Sequence, residues 1–315
     1  MSRSNIDRRT LLQMTLFGGA GVVAASVGVR STNASTDQQE PLKETPSYAP
    51  PIDYKISKAR VKQSVMAWCF NPMKMESLIP ACAKMGLSAM EGLDKKYYPL
   101  MKQHGLGVSI VGSHGFKKGP INRDHHEFCL KKLREGIDTA VQWNAPGVIT
   151  FTGMREQQIN DGQAFKNCVS CWQEACKYAE EKGVNLVLEM LNSRDDSHPM
   201  KGHPGYFGDD LDRCIDLIKA VDSPRMKLLF DVYHVQIMNG DPIRRFTQHK
   251  DYISHVHTAG NPGRCELDQN QELNYAAIMK AIIQTGFDGY VAQEFIPTWK
   301  DKLAALRHAV QVCDV

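Results

Sequence analysis

From Val61 onward, eight short apolar runs alternate with amphipathic stretches of helical spacing, and no other property of the chain restricts its fold as much. The runs are QSVMAW (63–68), SAMEGL (88–93), GVSIVGS (107–113), GVITFT (147–152), NLVLEM (185–190), KLLFDV (227–232), ISHVHT (253–258) and GYVAQEF (289–295). Runs of this kind suit strands buried on both faces. Between them, apolar residues recur every three or four positions over 122–143, 163–182, 208–221 and 273–285, which predicts helices there. Gly86, Gly183 and Gly286 follow such segments, where a left-handed C-cap is easiest without a Cβ. Eight βα units in about 250 residues predict an α/β fold closed into a single (β/α)8 TIM barrel. An open doubly wound sheet is the other arrangement of the same alternation. No Gly-x-Gly-x-x-Gly follows an early strand, so the dinucleotide-binding form of that sheet lacks its phosphate turn.

The chain ahead of the barrel reads as an address and a linker. Arg8-Arg9, followed by Thr10-Leu11-Leu12 and an apolar stretch from Leu16 to Val29, has the form of a twin-arginine signal peptide over residues 1–34. Glycines 18, 19, 21 and 28 interrupt that stretch, which is short for a membrane span, so no stable span is expected after processing. Export to the periplasm or beyond is the expectation. Residues 35–58, with Pro41, Pro46, Pro50 and Pro51, read as a flexible or extended linker, and 59–315 as the barrel domain. Removing 1–34 takes Arg3, Arg8, Arg9 and Arg30 from the 38 basic residues and Asp7 from the 35 acidic ones, which leaves equal numbers of each. A neutral domain offers little to offset phosphate charge, so no nucleic-acid partner is expected. Nine cysteines lack the spacing of a disulfide framework. Cys168, Cys171 and Cys176 share one predicted helix and suit core packing instead.

Four of the apolar runs carry, next to their last residue, a residue type that binds metals: Glu189, Asp231, His257 and Glu294. In a parallel barrel the strands end at one rim, so residues 42, 26 and 37 positions apart converge there. Two glutamates, an aspartate and an imidazole suit a divalent cation, Mn²⁺ or Mg²⁺ first, with Co²⁺ or Zn²⁺ as further options. Beside such a cation, the C–H between a hydroxyl and its neighbouring carbonyl is acidified and an enediolate is stabilised. Glu189 and Glu294, from strands five and eight, are placed to remove the proton and return it to the next carbon. His234, three residues after Asp231, is a candidate hydrogen-bond partner of the reacting oxygen, with His114 as a comparable candidate after strand three. Arg264, in the loop HTAGNPGR, could clamp a substrate carboxylate through its planar fork. Glu91 and Asn192 are further rim candidates for substrate hydroxyls.

At these residues the chain resembles the hydroxypyruvate isomerase family, within the xylose-isomerase-like barrels that also hold the ketose 3-epimerases. The resemblance spans about residues 61–298. It is carried by LVLEMLN (186–192), KLLFDVYHVQIMNGD (227–241), ISHVHTAGNPGR (253–264), ELNYAAIMKAI (272–282) and GFDGYVAQEFIPT (286–298), with AMEG (89–92) and VGSHG (111–115) in agreement. It implies a metal held by Glu189, Asp231, residue 257 and Glu294, an acid/base role for the two glutamates, and substrate contacts from His234 and Arg264. The chain departs from the pattern at one ligand, since hydroxypyruvate isomerases carry Gln where it has His257 and ketose epimerases carry His. The expected substrate is therefore a small hydroxy-carbonyl compound, either hydroxypyruvate, giving tartronate semialdehyde, or a free ketose. Two other classes are weaker. The zinc endonucleases of the superfamily use more histidines, whereas strand four here ends in Thr152 and no Asp-x-His pair follows His257. A non-catalytic periplasmic sugar-binding protein would have no need of both glutamates. The sequence leaves a homo-oligomer open.

Overall fold

The structure, a computed structural model, describes residues 41–315. The expected signal peptide and the first six residues of the expected linker lie outside the described residues. Eight strands follow one another as β1 (Lys62–Met66), β2 (Ala89–Glu91), β3 (Gly107–Val108), β4 (Gly147–Thr150), β5 (Asn185–Glu189), β6 (Met226–Asp231), β7 (Ile253–Thr258) and β8 (Tyr290–Gln293). They form one parallel sheet in the order β3-β2-β1-β8-β7-β6-β5-β4. The two ends of that order meet at Val111. Its N–H donates to Gly147 O (3.0 Å) and its carbonyl accepts from Ile149 N (2.9 Å), which curls the sheet into a barrel.

The eight apolar runs thus carry the eight strands, several of which are shorter than their run, and β3 is the shortest. The run 107–113 forms only a two-residue ladder, because its bonds are divided between two neighbours. Ser109 N still donates to Met90 O on β2 (3.2 Å), whereas Val111 N has turned to β4. Among the described residues the helices are α1 (Met75–Met85), α2 (Tyr98–Gln103), α3 (His126–Trp143), α4 (Asp161–Lys182), α5 (Leu211–Val221), α6 (Val232–Met238), α7 (Pro242–His249), α8 (Tyr275–Gln284) and α9 (Lys302–Cys313). Their apolar faces cover the outside of the sheet, where Leu186, Leu228 and Trp172 are fully buried. A second, smaller apolar cluster, which includes Ile110, Ile149, Phe151, Leu191 and Leu229, is separate from this core. All nine cysteines are unbridged and eight are buried, as core packing requires. No helix among the described residues is long and apolar enough to cross a membrane.

The described part of the expected linker, 41–58, turns at 46–49 and 51–54 and is tied to the barrel. Lys43 N donates to Thr298 O (2.7 Å), and the Tyr48 ring meets Trp299 edge-on at 5.9 Å. The firmest tie is Asp314, whose carboxylate accepts the backbone N–H groups of Ser57 (2.8 Å), Lys58 (2.9 Å) and Ala59 (3.0 Å). Burial works against that charge, but the N–H donors outweigh it and hold the carboxyl below its ordinary range. The anchorage is therefore complete at neutral pH and is lost as falling pH protonates the folded carboxylate. Asp314→Ala leaves three donors without their acceptor and is expected to cost about 1–3 kcal/mol in urea unfolding. Amide exchange at 57–59 should rise with it, while exchange in β5 to β7 should not.

Candidate metal centre

The carboxyl ends of β5 to β8 bring four side chains together, each aimed by its own stretch of backbone. Glu189 ends β5, and its carbonyl accepts the buried Tyr206 hydroxyl (2.9 Å), which fixes the strand end. Asp231 ends β6 and caps α6 directly. Its Oδ1 accepts from Tyr233 N (2.8 Å) and His234 N (3.3 Å), which leaves Oδ2 facing the barrel mouth. His257 lies opposite Asp231 in the β6–β7 register. Glu294, the first residue past β8, is tied to the same layer by its N–H to Thr258 O (2.9 Å).

His257 Nδ1 lies 2.7 Å from Glu294 Oε2, 3.2 Å from Glu189 Oε1 and 4.0 Å from Asp231 Oδ2. All four residues are buried. Although close, these four atoms are not aligned for hydrogen bonds, so each is a buried polar atom without a directed partner. Buried carboxylate and imidazole atoms that converge without aligned hydrogen bonds make a candidate donor set for a cation, and all four lie within 4.8 Å of one another. The other face of the imidazole is fixed: His257 Nε2 donates to Glu91 Oε1 (2.7 Å). A carboxylate behind a ligating histidine sets its tautomer and raises its basicity.

Without a cation the charges in this cluster compete. Burial and the charge of Glu294 push Asp231 up, and burial followed by the same neighbour does so for Glu189. Burial also opposes the Glu294 carboxylate, but Arg264 and His257 outweigh it and bring its pKa down to about 2. His257 rises well above the usual imidazole range, because Glu294 and Glu91 overcome the cost of burying its charge. In the metal-free state, protons therefore occupy places that a divalent cation would take.

The expected substrate-contacting residues divide into two groups. His234 and Arg264 face the cluster. His234 Nδ1 accepts from Asn192 N (3.1 Å) and Asn192 Nδ2 (2.7 Å), so the neutral ring carries its proton on Nε2, 3.6 Å from Asp231 Oδ2. Burial and the nearby Arg264 hold this imidazole well below its ordinary pKa, so it stays neutral. Arg264, in left-handed backbone (φ 54°), pairs with Glu294 Oε2 (2.7 Å) and lies over the rings of Trp68 (5.6 Å) and Tyr233 (5.7 Å). Glu91, Asn192 and His114 take protein partners instead. Glu91 is fully buried beneath the cluster between His257, Ser109 and His255 (3.0 Å). Asn192 orients His234. His114 Nδ1 donates to Gly115 O (2.8 Å) and its Nε2 accepts from Thr150 Oγ1 (2.9 Å), so its ring holds the loop together.

A cavity of about 300 Å³ opens above Glu189 and Glu294. Trp68, Phe116 and His203 line it without having stood out in the sequence. The His203 ring packs tilted against Phe116, with centroids 4.3 Å apart, and burial lowers its pKa to about 4. Its one sequence signal was length, since the segment from β5 to α5 is longer than a structural connection needs.

Comparison with known proteins agrees with this fold. A family model described as xylose isomerase-like TIM barrel matches residues 79–313. A 2-oxo-tetronate isomerase of Cupriavidus necator is 33% identical over 123 residues, 39% of this chain and 44% of that one. The hydroxypyruvate isomerase of Escherichia coli is 26% identical over 171 residues, 53% of this chain and 63% of the relative. The matched stretches thus span less than two thirds of either relative. Among solved structures, a 3-keto-D-glucoside 4-epimerase from E. coli shares the fold with a TM-score of 0.65 at 18% identity, over 80% of this chain and 97% of that one. The strand order, the matched length and the shared fold agree, and the chain belongs to the xylose isomerase-like TIM-barrel family.

Proposed function

We propose that this protein is a metal-dependent isomerase that moves a proton between neighbouring carbons of a small hydroxy-carbonyl compound by way of an enediolate. The observation that carries the reading is the convergence of four buried atoms, none with an aligned hydrogen bond: Glu189 Oε1, Asp231 Oδ2, His257 Nδ1 and Glu294 Oε2. These residues would hold a divalent cation, Mn²⁺ or Mg²⁺ first, whose chemistry is to offset the negative charge that develops on adjacent substrate oxygens. Glu189 and Glu294 both line the substrate cavity, so one can take the proton and the other can serve the neighbouring carbon. The Nε2–H of His234 supplies a neutral donor for the reacting oxygen, and its tautomer is set by Asn192. Arg264 holds Glu294 ionised and adds positive charge at the cavity.

Hydroxypyruvate, converted to tartronate semialdehyde, is the first substrate reading, supported by the isomerases among the relatives. The second is epimerisation of a ketose, which the imidazole at His257 favours over the glutamine of hydroxypyruvate isomerases. Export, expected from Arg8-Arg9, belongs to the same proposal and would carry the site away from cytoplasmic hydroxypyruvate.

In D₂O, metal-loaded protein should place deuterium beside the carbonyl of hydroxypyruvate or of a small ketose, as read by NMR. Glu294→Gln should lower that exchange by about 10²–10⁴-fold while weakening metal binding far less. Undiminished exchange would remove Glu294 from the mechanism. Metal binding should also release protons, because Glu189, Asp231 and His257 are all shifted toward their protonated forms. Affinity should therefore fall as pH falls. Titration heats measured in two buffers of different ionisation enthalpy check this, and identical heats would contradict it.

A further inference from the structure

One imidazole at the barrel mouth is used neither by the metal centre nor by the surrounding protein. Resting on the isomerase reading above, we infer that His203 is a specificity-determining residue, which hydrogen-bonds the substrate oxygen carried by the carbon next to the hydroxy-carbonyl pair. That oxygen belongs to the carboxylate in hydroxypyruvate and to a hydroxyl in a ketose, so the inference holds for either substrate.

His203 lies on the segment that joins β5 to α5. It is buried, yet it lines the cavity together with Glu189, Glu294 and Arg264. Among the described residues no hydrogen bond reaches its ring nitrogens, and unlike His234 Nε2 and His257 Nδ1 they are not sealed inside the protein. The cavity is the space on which they open. Other polar groups of the lining are already engaged. Arg264 pairs with Glu294 and donates to Met200 O, and Ser113 Oγ donates to Ile149 O. Burial, and after it the charge of Arg264, keeps the His203 ring neutral, so one nitrogen donates and the other accepts. A hydroxyl suits either nitrogen, and a carboxylate suits the one that carries the proton.

The ring is held in place by its surroundings. Its backbone N–H donates to Asn192 O (2.7 Å), and the ring packs on Phe116. Gly202, just before it, lies so close to the same strand end that a Cβ would stand 2.6 Å from Asn192 Oδ1 and 2.1 Å from Asp195 O. Asn192 thus positions two imidazoles, His203 through its carbonyl and His234 through its amide. The two rings are 6.1 Å apart, centre to centre. His234 reaches the cluster at Asp231 Oδ2, whereas no carboxylate of the cluster pairs with His203. A substrate whose head lies at Glu189 and Glu294 therefore meets His203 with its next carbon. An imidazole that gains a hydrogen bond only from the ligand favours a ligand with that oxygen over one without it, by about tenfold.

Three ligands with the same head isolate this contact. Hydroxyacetone, dihydroxyacetone and hydroxypyruvate differ in their third carbon, which is a methyl, a hydroxymethyl and a carboxylate. Mg²⁺-loaded protein should bind the second and third about tenfold tighter than hydroxyacetone. His203→Phe keeps a ring against Phe116 and removes both nitrogens. It should reduce the dihydroxyacetone advantage to less than about twofold, with the affinities for hydroxyacetone and Mg²⁺ at their wild-type values. In the wild-type protein the ring ¹⁵N resonances of His203 should move with dihydroxyacetone and not with hydroxyacetone, a readout that does not depend on the variant folding. No measurable binding, no preference in the wild type, a preference that survives His203→Phe, an equal loss for all three ligands, or unmoved ¹⁵N resonances would each overturn the inference. Deuterium exchange is followed on the same samples. A preference that depends on His203, with no exchange in any ligand, would instead set aside the isomerase reading and leave the contact standing.

Discussion

Three carboxylates cannot all stay ionised in a buried barrel mouth unless positive charge stands among them, and the arrangement of this mouth follows from that constraint. His257 is the pivot. One ring nitrogen faces Glu189, Asp231 and Glu294, while the other is held by a fourth carboxylate, Glu91, on the far side of the sheet order. Arg264 balances the cluster from above through Glu294. Remove the imidazole and Glu91 becomes a fully buried anion whose other partners are His255 and the Ser109 hydroxyl. The cost of such an anion explains why the layer beneath the site is as closely built as the site itself.

The same constraint shapes the neighbouring backbone. Asp231 divides its two oxygens between a helix start and the cluster, so the turn from β6 into α6 also aims the second oxygen at the barrel mouth. Asn192 and His234 repeat the logic with a neutral pair, in which two N–H groups on one nitrogen dictate which nitrogen keeps the proton. Precision at the mouth thus comes from strand ends and helix caps, the least deformable places a loop-bearing rim has to offer.

Much of this was legible in the sequence, for reasons that differ by residue. The eight strands stood out because strands buried on both faces need unbroken apolar runs. Glu189, Asp231, His257 and Glu294 stood out because each interrupts such a run at its end. The partners of Glu91 were hidden, since nothing in AMEG tells whether the carboxylate reaches upward to substrate or across to a histidine 166 positions away. His114 and Asn192 were placed at the correct rim, but their bonds to Thr150 and His234 depend on the curvature of the closed sheet. Ile110, Ile149 and Phe151 read as core like any other apolar residues. That they line a cavity is a property of which side of the sheet they face, and periodicity cannot assign it when both sides are apolar.

The closure at Val111 has a consequence for how the cavity can change shape. Every other neighbouring pair of strands is joined by a ladder of at least two residues, but β3 and β4 are joined through one. Ile110 and Gly112 flank that stitch, and Ile149 bonds to it, so this part of the cavity wall is hung on the least-laced seam of the barrel. Widening the wall therefore breaks the fewest backbone bonds, while the opposite side, which carries the charged residues, stays tied by full ladders. The barrel is in this sense a rigid jaw facing a compliant one, and a change in width on the compliant side leaves the strand ends that carry Glu189, Asp231, His257 and Glu294 in place.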